Sequence, residues 1–275
     1  MDRSVLVTGA GSGIGLATAR AFAFQGDRVF GSVRDEAGRA ALTMAVQGGP
    51  SPRAVQFDVT DERAVRNAVE IVIEEVGAID VLVNNAGIAP VGPVETSTDD
   101  DWRRVFEVNV LGAVRVTRAV LPSMRAAGGG VIVNVSSING RFAVPFLAAY
   151  SASKFGLEAM SESLLYEVED YGIRVLVVEA GQFDTPIFDK MRALPDPDPD
   201  SPYATSELAS RRSSPKPGEA ADPAIAAAVI VEAVNGDRTG FRHAAGQDAQ
   251  LYLQTRAELP DDEWFALVKA FQAER

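Results

Sequence analysis

The 275-residue chain is 47% hydrophobic and 23% charged, enough apolar material for a sizeable α/β core. Its formal net charge of −12 disfavours nucleic acid and anionic membranes as partners, and the absence of cysteine removes disulfides and thiolate chemistry, as expected in a reducing cytoplasm. The single histidine, His243, argues against a Ser-His-Asp hydrolase or a multi-histidine metal centre.

The stretch from Met1 to Thr8 holds no cationic leader and no apolar h-region, and no later apolar run is long enough to span a bilayer, so a soluble, unexported protein is expected. Val5-Leu6-Val7 is a short apolar strand that ends in Thr8-Gly9-Ala10-Gly11-Ser12-Gly13-Ile14-Gly15, with a helix predicted from Leu16 to about Gln25. A buried strand, a glycine-rich turn and a helix open a dinucleotide-binding unit, because backbone N–H groups can approach a pyrophosphate at the helix N-terminus. The spacing is G-x-x-x-G-x-G rather than G-x-G-x-x-G, and alone it also describes an ordinary glycine-rich loop. Arg28 to Val33 reads as the second strand. NAD-specific members of this architecture place an acid at that strand's end to accept from the ribose hydroxyls, whereas here Val33 stands there and Arg34 follows. An arginine can hold a 2′-phosphate through a charge-assisted fork, which argues for NADP over the alternative of a surface arginine paired with Asp35 or Glu36.

Ala37 to Val46 reads as helix, 48–52 as loop, and Ala54 to Phe57 as a third strand entering Asp58-Val59-Thr60. From Asp61 to Val76 apolar residues recur at helical spacing, at Val65, Val69, Val72 and Val76. Ile79 to Val83 is a fourth strand, running into Asn84-Asn85-Ala86-Gly87 at the end where open α/β sheets bind ligands. One long helix is expected from about Asp99 to Ala126, with Asn109 on its apolar middle, a position usually held by a hydrogen-bonded core residue. Val131 to Val135 is a fifth strand delivering Ser136-Ser137; a helix through Tyr150 to about Tyr171 and a sixth strand, Ile173 to Val178, follow.

After Glu179 to Pro186 the chain changes character, because Pro195, Pro197, Pro199 and Pro202 alternate with aspartates in what must be irregular backbone. Residues 186–218 read as a substrate lid, with Phe183, Ile187, Phe188 and Met191 bringing apolar surface to a pocket, in preference to a plain connector. Ala220 to Val234 returns to helix and Phe241 to Ala245 supplies a seventh strand. Residues 246–275, with Trp264 and Phe265, form a C-terminal helical extension ending in an amphipathic helix. With no repeat or linker in view, 1–275 is expected to be one α/β domain: a doubly wound Rossmann-type fold with a central parallel sheet of about seven strands and helices on both faces.

Tyr150 and Lys154 are four residues apart and so share one helix face. A nearby ammonium and a place in the first helical turn both favour the phenolate, turning a weak acid with a pKa of about 10 into a usable one. The pair alone is common in helices and usually solvated.

Taken together, Thr8-Gly9-x-x-x-Gly13-x-Gly15, Asn84-Asn85-Ala86-Gly87, Asn109, Ser137 and Tyr150-x-x-x-Lys154 resemble the short-chain dehydrogenase/reductase family, from the first strand to about Thr185. The resemblance implies that Tyr150 is the general acid in reduction and base in oxidation while hydride moves to or from nicotinamide C4. It implies that Lys154 binds the nicotinamide ribose and lowers the Tyr150 pKa. Ser137, thirteen residues before Tyr150, would donate to the carbonyl oxygen, and Asn109 would hold a water linking Lys154 to solvent. Ser136 competes for the serine role and is rejected on spacing.

For the cofactor, the resemblance implies contacts from Gly9, Gly11, Ser12, Gly13, Ile14 and Gly15 to the pyrophosphate and from Arg34, Asp58 and Val59 to the adenosine end. It adds Asn85, Ala86 and Gly87 on the ribose side, Tyr150 and Lys154, and Gly181, Phe183 and Thr185 near the carboxamide or phosphates. Two departures bear on this. Ala180-Gly181 replaces the usual Pro-Gly, so the loop to Thr185 is expected to be less rigid, and Ser12 stands where many NADP-preferring members add a basic residue. The Val33-Arg34-Asp35 junction is similar to members that handle steroids and retinoids. The expected activity is therefore an NADP-preferring interconversion of an alcohol and a ketone or aldehyde on a small apolar substrate, with NAD(H) tolerated. The rival readings are an NADP-binding sensor with little turnover and a sugar-nucleotide epimerase, the latter disfavoured by the short C-terminal part. Apolar residues on more than one side of the Tyr150 helix, Phe155, Leu157, Met160, Leu164, Leu165 and Val168, together with family habit, predict a homodimer or homotetramer.

Overall fold

The computed structural model describes residues 3–44 and 51–273. Seven strands, β1 (Ser4–Val7), β2 (Arg28–Val33), β3 (Arg53–Gln56), β4 (Val81–Asn84), β5 (Gly130–Ser137), β6 (Ile173–Ala180) and β7 (Arg242–Ala245), form one sheet in the order β3-β2-β1-β4-β5-β6-β7. Every neighbouring pair is parallel. The order reverses between β1 and β4, which opens a crevice at their carboxyl ends.

Short runs of valine, leucine and isoleucine make these strands because both faces are covered. Alternation divides them: Val5, Val7, Val83, Val133 and Val178 pack toward α1 (Gly13–Phe24) and α9 (Pro223–Asn235), beside α2 (Glu36–Met44). Leu6, Leu82, Ile132 and Val175 pack toward α3 (Glu62–Val76), α5 (Gly112–Ala127) and α6 (Ala148–Val168). Asp61 caps α3 by accepting from the Ala64 N–H, and Thr98 with Asp101 forms a capping box at the start of α4 (Asp99–Phe106). The expected end of α2 at Val46 and the loop at Gly48 to Pro50 lie outside the described residues.

Three expectations are corrected. The long helix from Asp99 is broken into α4 and α5 by a π-helical turn, Glu107–Leu111, that carries Asn109. The proline and aspartate run is irregular as expected, but two helices flank it, α7 (Pro186–Arg192) and α8 (Ala204–Arg212). The tail forms two helices rather than one, α10 (Gln247–Glu258) and α11 (Asp261–Ala273). Pro260 enforces the break, since the residue before a proline is driven out of helical backbone, and Leu259 has φ −91° and ψ 136°. Among the described residues no helix is long and apolar enough to cross a membrane.

Candidate active site

A cleft of about 1510 Å3 runs along the carboxyl ends of the strands, across the switch point. At one end the β1–α1 turn comes as close to its neighbours as a backbone can. Gly13 has φ +54°, and a Cβ there would lie 3.0 Å from Thr185 Cγ2; a Cβ on Gly15 would lie 2.4 Å from both Asn85 Nδ2 and the Gly9 carbonyl oxygen. Ser12 occupies the N-cap of α1 without a side-chain capping bond, which leaves the first-turn N–H groups without a side-chain acceptor and suited to an anion. This cradle fits a pyrophosphate. Ile14 packs on the core beneath, and Gly9, Gly11 and Ser12 line the cleft.

The two asparagines at the end of β4, Asn84 within it and Asn85 just after, serve opposite sides. Asn84 faces the core, donating to Thr117 Oγ1 and Asn134 Oδ1, both at 2.9 Å, and Asn134 donates onward to Ser161 Oγ at 2.8 Å. Asn85 donates to the Thr8 carbonyl at 2.9 Å while the Thr8 hydroxyl accepts from the Asn85 and Ala86 N–H groups. The Asn85 carboxamide thus locks the glycine turn, and any ligand contact from 85–87 falls to other atoms.

Val33 ends β2 buried, and Arg34 beside it is exposed on the cleft wall. Neighbouring acids do not pair with it: Asp35 Oδ1 accepts from the Gly38 N–H at 2.8 Å and Glu36 pairs with Arg39 at 3.2 Å. Arg34 has no ion pair among the described residues. Asp58 accepts from the Thr60 N–H and hydroxyl, and Val59 packs over Gly112 on the same wall.

At the other end the four expected catalytic positions come together. Tyr150 lies in the first turn of α6, half-buried, with the Ser137 hydroxyl at the end of β5 beside it, near enough to favour its phenolate. Lys154, one turn on, is buried, donates to the Val135 carbonyl at 2.8 Å, and places its ammonium 5.8 Å from the Tyr150 ring centre. Burial pulls Lys154 down to about 8, partly opposed by Glu158. Sequence reasoning expects a depressed Tyr150 pKa; in this protein burial pushes the phenol up, and the neighbouring Ser137 hydroxyl only partly offsets it. Asn109 is buried, donates to the Ile88 carbonyl and Ser153 Oγ, and accepts from the Ile88 N–H, each at 2.9 Å. Its carboxamide is therefore committed, which leaves the backbone of the π turn, rather than the side chain, to hold a water.

The loop after β6 is firmer than its Ala180-Gly181 start suggests. Gly181 donates to the Ala245 carbonyl at 2.9 Å, and Asp248, at the start of α10, takes the Gln182 N–H. Phe183 is buried in the core, so its ring supports the loop from below, while Thr185 faces Gly13. Sequence reasoning missed Asp248. It also missed Phe142, whose ring packs edge-on against Tyr252 at 6.4 Å and Trp264 at 4.8 Å and, with Phe188 and Met191 of α7, lines the cleft.

A doubly wound sheet with an anion cradle at its switch point, and a Tyr-Lys pair at the far end of the same cleft, defines a Rossmann-type oxidoreductase. Residues 3–195 match the family described as short chain dehydrogenase. The chain is 34% identical over 273 residues to a 3-ketodihydrosphingosine reductase of Bacteroides thetaiotaomicron, covering 98% of each. It is 36% identical over 199 residues to human 17-beta-hydroxysteroid dehydrogenase type 1, covering 70% of this chain and 60% of that one. Among solved structures, a short-chain dehydrogenase from Streptomyces avermitilis superposes with a TM-score of 0.80 at 35% identity, covering 98% and 96%. A short-chain dehydrogenase/reductase from Burkholderia phymatum in complex with NAD gives 0.81 at 26%, covering 93% of both. The chain belongs to the short-chain dehydrogenase/reductase family and is an oxidoreductase acting on CH–OH groups, in a family that uses NAD(P)(H).

Proposed function

We propose that this protein interconverts a secondary alcohol and a ketone, or a primary alcohol and an aldehyde, on an apolar substrate, with NADP(H) preferred over NAD(H). The observation that carries the reading is the meeting of Ser137 and Tyr150 beside Lys154 at the end of a cleft walled by Phe142, Tyr252, Trp264 and Phe188. When bound, the nicotinamide supplies or takes up the hydride. Ser137 donates to the substrate oxygen as charge develops on it, and Tyr150 gives that oxygen a proton in reduction or takes one in oxidation. A phenol raised by burial holds its proton, which suits the reductive direction. Lys154 binds the ribose, and Asn109 braces it through Ile88 and Ser153 while its backbone carries the water of a proton path.

The cofactor rests on the cradle from Gly9 to Gly15, with Asp58 and Val59 beside the adenine, 85–87 along the ribose, and Gly181, Phe183 and Thr185 bounding the nicotinamide side. Support for NADP comes from Arg34, unpaired among the described residues, beside a valine that cannot accept from ribose hydroxyls. An apolar substrate is supported by the aromatic wall and by relatives named for a ketodihydrosphingosine, cyclopentanol and a hydroxysteroid. We read 1–275 as one catalytic domain of the reducing cytoplasm, with 186–218 its lid, latched where the Tyr203 hydroxyl donates to Glu95 at 2.6 Å. A panel of cyclic and long-chain ketones and alcohols, followed by NADPH and NADH absorbance, tests the reading. Tight NADPH binding with no turnover on any of them would mark a sensor instead.

A further inference from the structure

Charge is distributed unevenly over this molecule. Against a formal net charge of −12, the cleft is lined by five cationic side chains, Arg34, Arg104, Lys154, Lys190 and Lys269, and by three carboxylates, those of Asp35, Asp58 and Asp101. The chain has four lysines in all, at 154, 190, 216 and 269, and three of them stand on this one cleft. A strongly acidic protein repels anions at long range, so a locally cationic cleft is where an anionic ligand meets a favourable potential. On the reading above, two of the five cations serve the cofactor, Arg34 at the 2′-phosphate and Lys154 at the ribose. The pyrophosphate is already supplied with backbone N–H groups by the first turn of α1. Arg104, Lys190 and Lys269 are left without a task.

These three come from three separate helices, and each adjoins residues that line the cleft. Lys269 of α11 follows Leu267 and Val268, which pack with Trp264 on the cluster around Phe142. Lys190 of α7 stands between Phe188 and Met191. Arg104 lies on α4, and the segment leading to that helix lines the cleft at Pro90 and Val91 before the Gly92 N–H donates to the Phe146 carbonyl at 2.9 Å, just ahead of Tyr150. All three cations are exposed, and none has an ion pair or side-chain hydrogen bond among the described residues. Scarcity of acids does not explain this, since 38 acidic residues face 26 basic ones. The nearest carboxylates in sequence are engaged elsewhere: Asp101 accepts from the Thr98 N–H at 2.9 Å and its hydroxyl at 2.7 Å, and Asp189 pairs with Arg192 at 2.5 Å.

We propose that the substrate of this enzyme is amphipathic: its apolar body lies along Phe142, Tyr252 and Trp264, and a terminal oxoanion, a carboxylate or a phosphate, is held at the rim of the cleft by Arg104, Lys190 and Lys269. The proposal rests on the alcohol and carbonyl reading of the same site and names the substrate class within it. Hydride and proton move at the Tyr150 end as described, and no bond changes at the anion. Because the three cations are exposed, each ion pair they form is worth only about a factor of two, and salt screens it. The effect therefore falls on encounter and selection among substrates, in kcat/KM, rather than on the chemical step.

The test compares kcat/KM for four ketones of matched chain length: a keto acid, its methyl ester, the corresponding keto phosphate and the corresponding keto ammonium compound. Each is reduced with whichever of NADPH and NADH the enzyme turns over faster, at low and at high salt, by wild type and by the combined Arg104→Gln, Lys190→Gln, Lys269→Gln variant. In wild type at low salt one oxoanion compound should be preferred over the ester by roughly tenfold, about twofold for each of three exposed pairs, and the ammonium compound should be the poorest. The larger of the acid and phosphate ratios identifies the oxoanion. The preference should shrink toward one at high salt and in the variant; because each ratio is taken within one protein, a general loss of activity cancels. An ester reduced as well as both oxoanion compounds, or a preference that survives in the variant, overturns the proposal. So does a cofactor Kd that weakens in the variant as much as the preference does, since the cations would then serve the cofactor's phosphates. Ester turnover without oxoanion preference removes only the anion site. If wild type reduces none of the four, the catalytic reading fails, and calorimetric titration with the keto acid decides the anion site separately: binding lost in the variant keeps it, and equal binding removes it.

Discussion

Asp248, at the start of α10, accepts the backbone N–H of Gln182 at 2.7 Å and presses so closely on Gly181 that a Cβ there would lie 2.2 Å from its Oδ1. The C-terminal extension thereby holds the loop that leads to Thr185. Gly181→Ala must push Asp248 away and lose a charge-assisted bond, at a cost of about 1–3 kcal/mol. Denaturant unfolding should record that loss, together with a raised KM for the dinucleotide; unchanged values for both would mean the loop is held elsewhere.

On the proposed mechanism, Tyr150→Phe removes the proton donor and little else. Turnover should fall by at least roughly a hundredfold while NADPH affinity, measured by fluorescence titration, stays close to wild type. Lys154→Ala should damage both, because one side chain serves cofactor and rate.

Lys154 also sets a stability cost with a definite sign. Its pKa of about 8 in the folded protein lies below the ordinary lysine value, so the unfolded chain binds more protons between those two pH values. The penalty is present in full below pH 8 and fades as pH rises above it. Lys154→Met should therefore be catalytically dead yet more stable at pH 7, by up to about 2–3 kcal/mol less the lost bond to Val135. A Tm that falls in this variant would contradict the assignment.

Cofactor choice should turn on adjacent positions. Arg34→Ala should weaken NADPH binding by about 1.5–3 kcal/mol with little effect on NADH, and Val33→Asp should move preference toward NADH by repelling the 2′-phosphate. The ratio of kcat/KM for the two cofactors measures this. A wild-type ratio favouring NADH would refute the NADP preference.

Assembly is open to light scattering. Leu121, Met160 and Leu164 line a groove between α5 and α6, and Phe155 is 45% exposed on α6. The expected mass is that of a dimer or tetramer at micromolar concentration, and a monomer mass would exclude both.

The sheet was legible because its information is local: a run such as Val131 to Val135 declares a buried strand, and Gly9 to Gly15 declares the turn after one. Ser137, Tyr150 and Lys154 entered through the family resemblance, whose fixed spacing on one strand and one helix also implies that they meet. What escaped depends on contacts between distant segments. Asp248 touches Gln182 across 66 residues, and nothing near either residue announces it. Phe142 reads as one more apolar residue until α10 and α11 bring Tyr252 and Trp264 against it. The Tyr150 pKa escaped for a different reason, since spacing reveals which residues share a helix face but not how deeply they are buried.

The π turn at Glu107–Leu111 makes the helix around Asn109 a matter of counting. It holds one residue more than an α-helix of the same span, and each residue turns the axis by about 100°. The surplus lets α4 address α6 while α5 addresses α3, from what would otherwise be a single rod with a single phase. Deleting one residue between 107 and 111 would give a more regular helix whose two halves were clocked wrongly by about that angle, so either α4 or α5 would lose its seat. Asn109 therefore sits on an odd link in the chain, where an extra unit of length is converted into a change of direction.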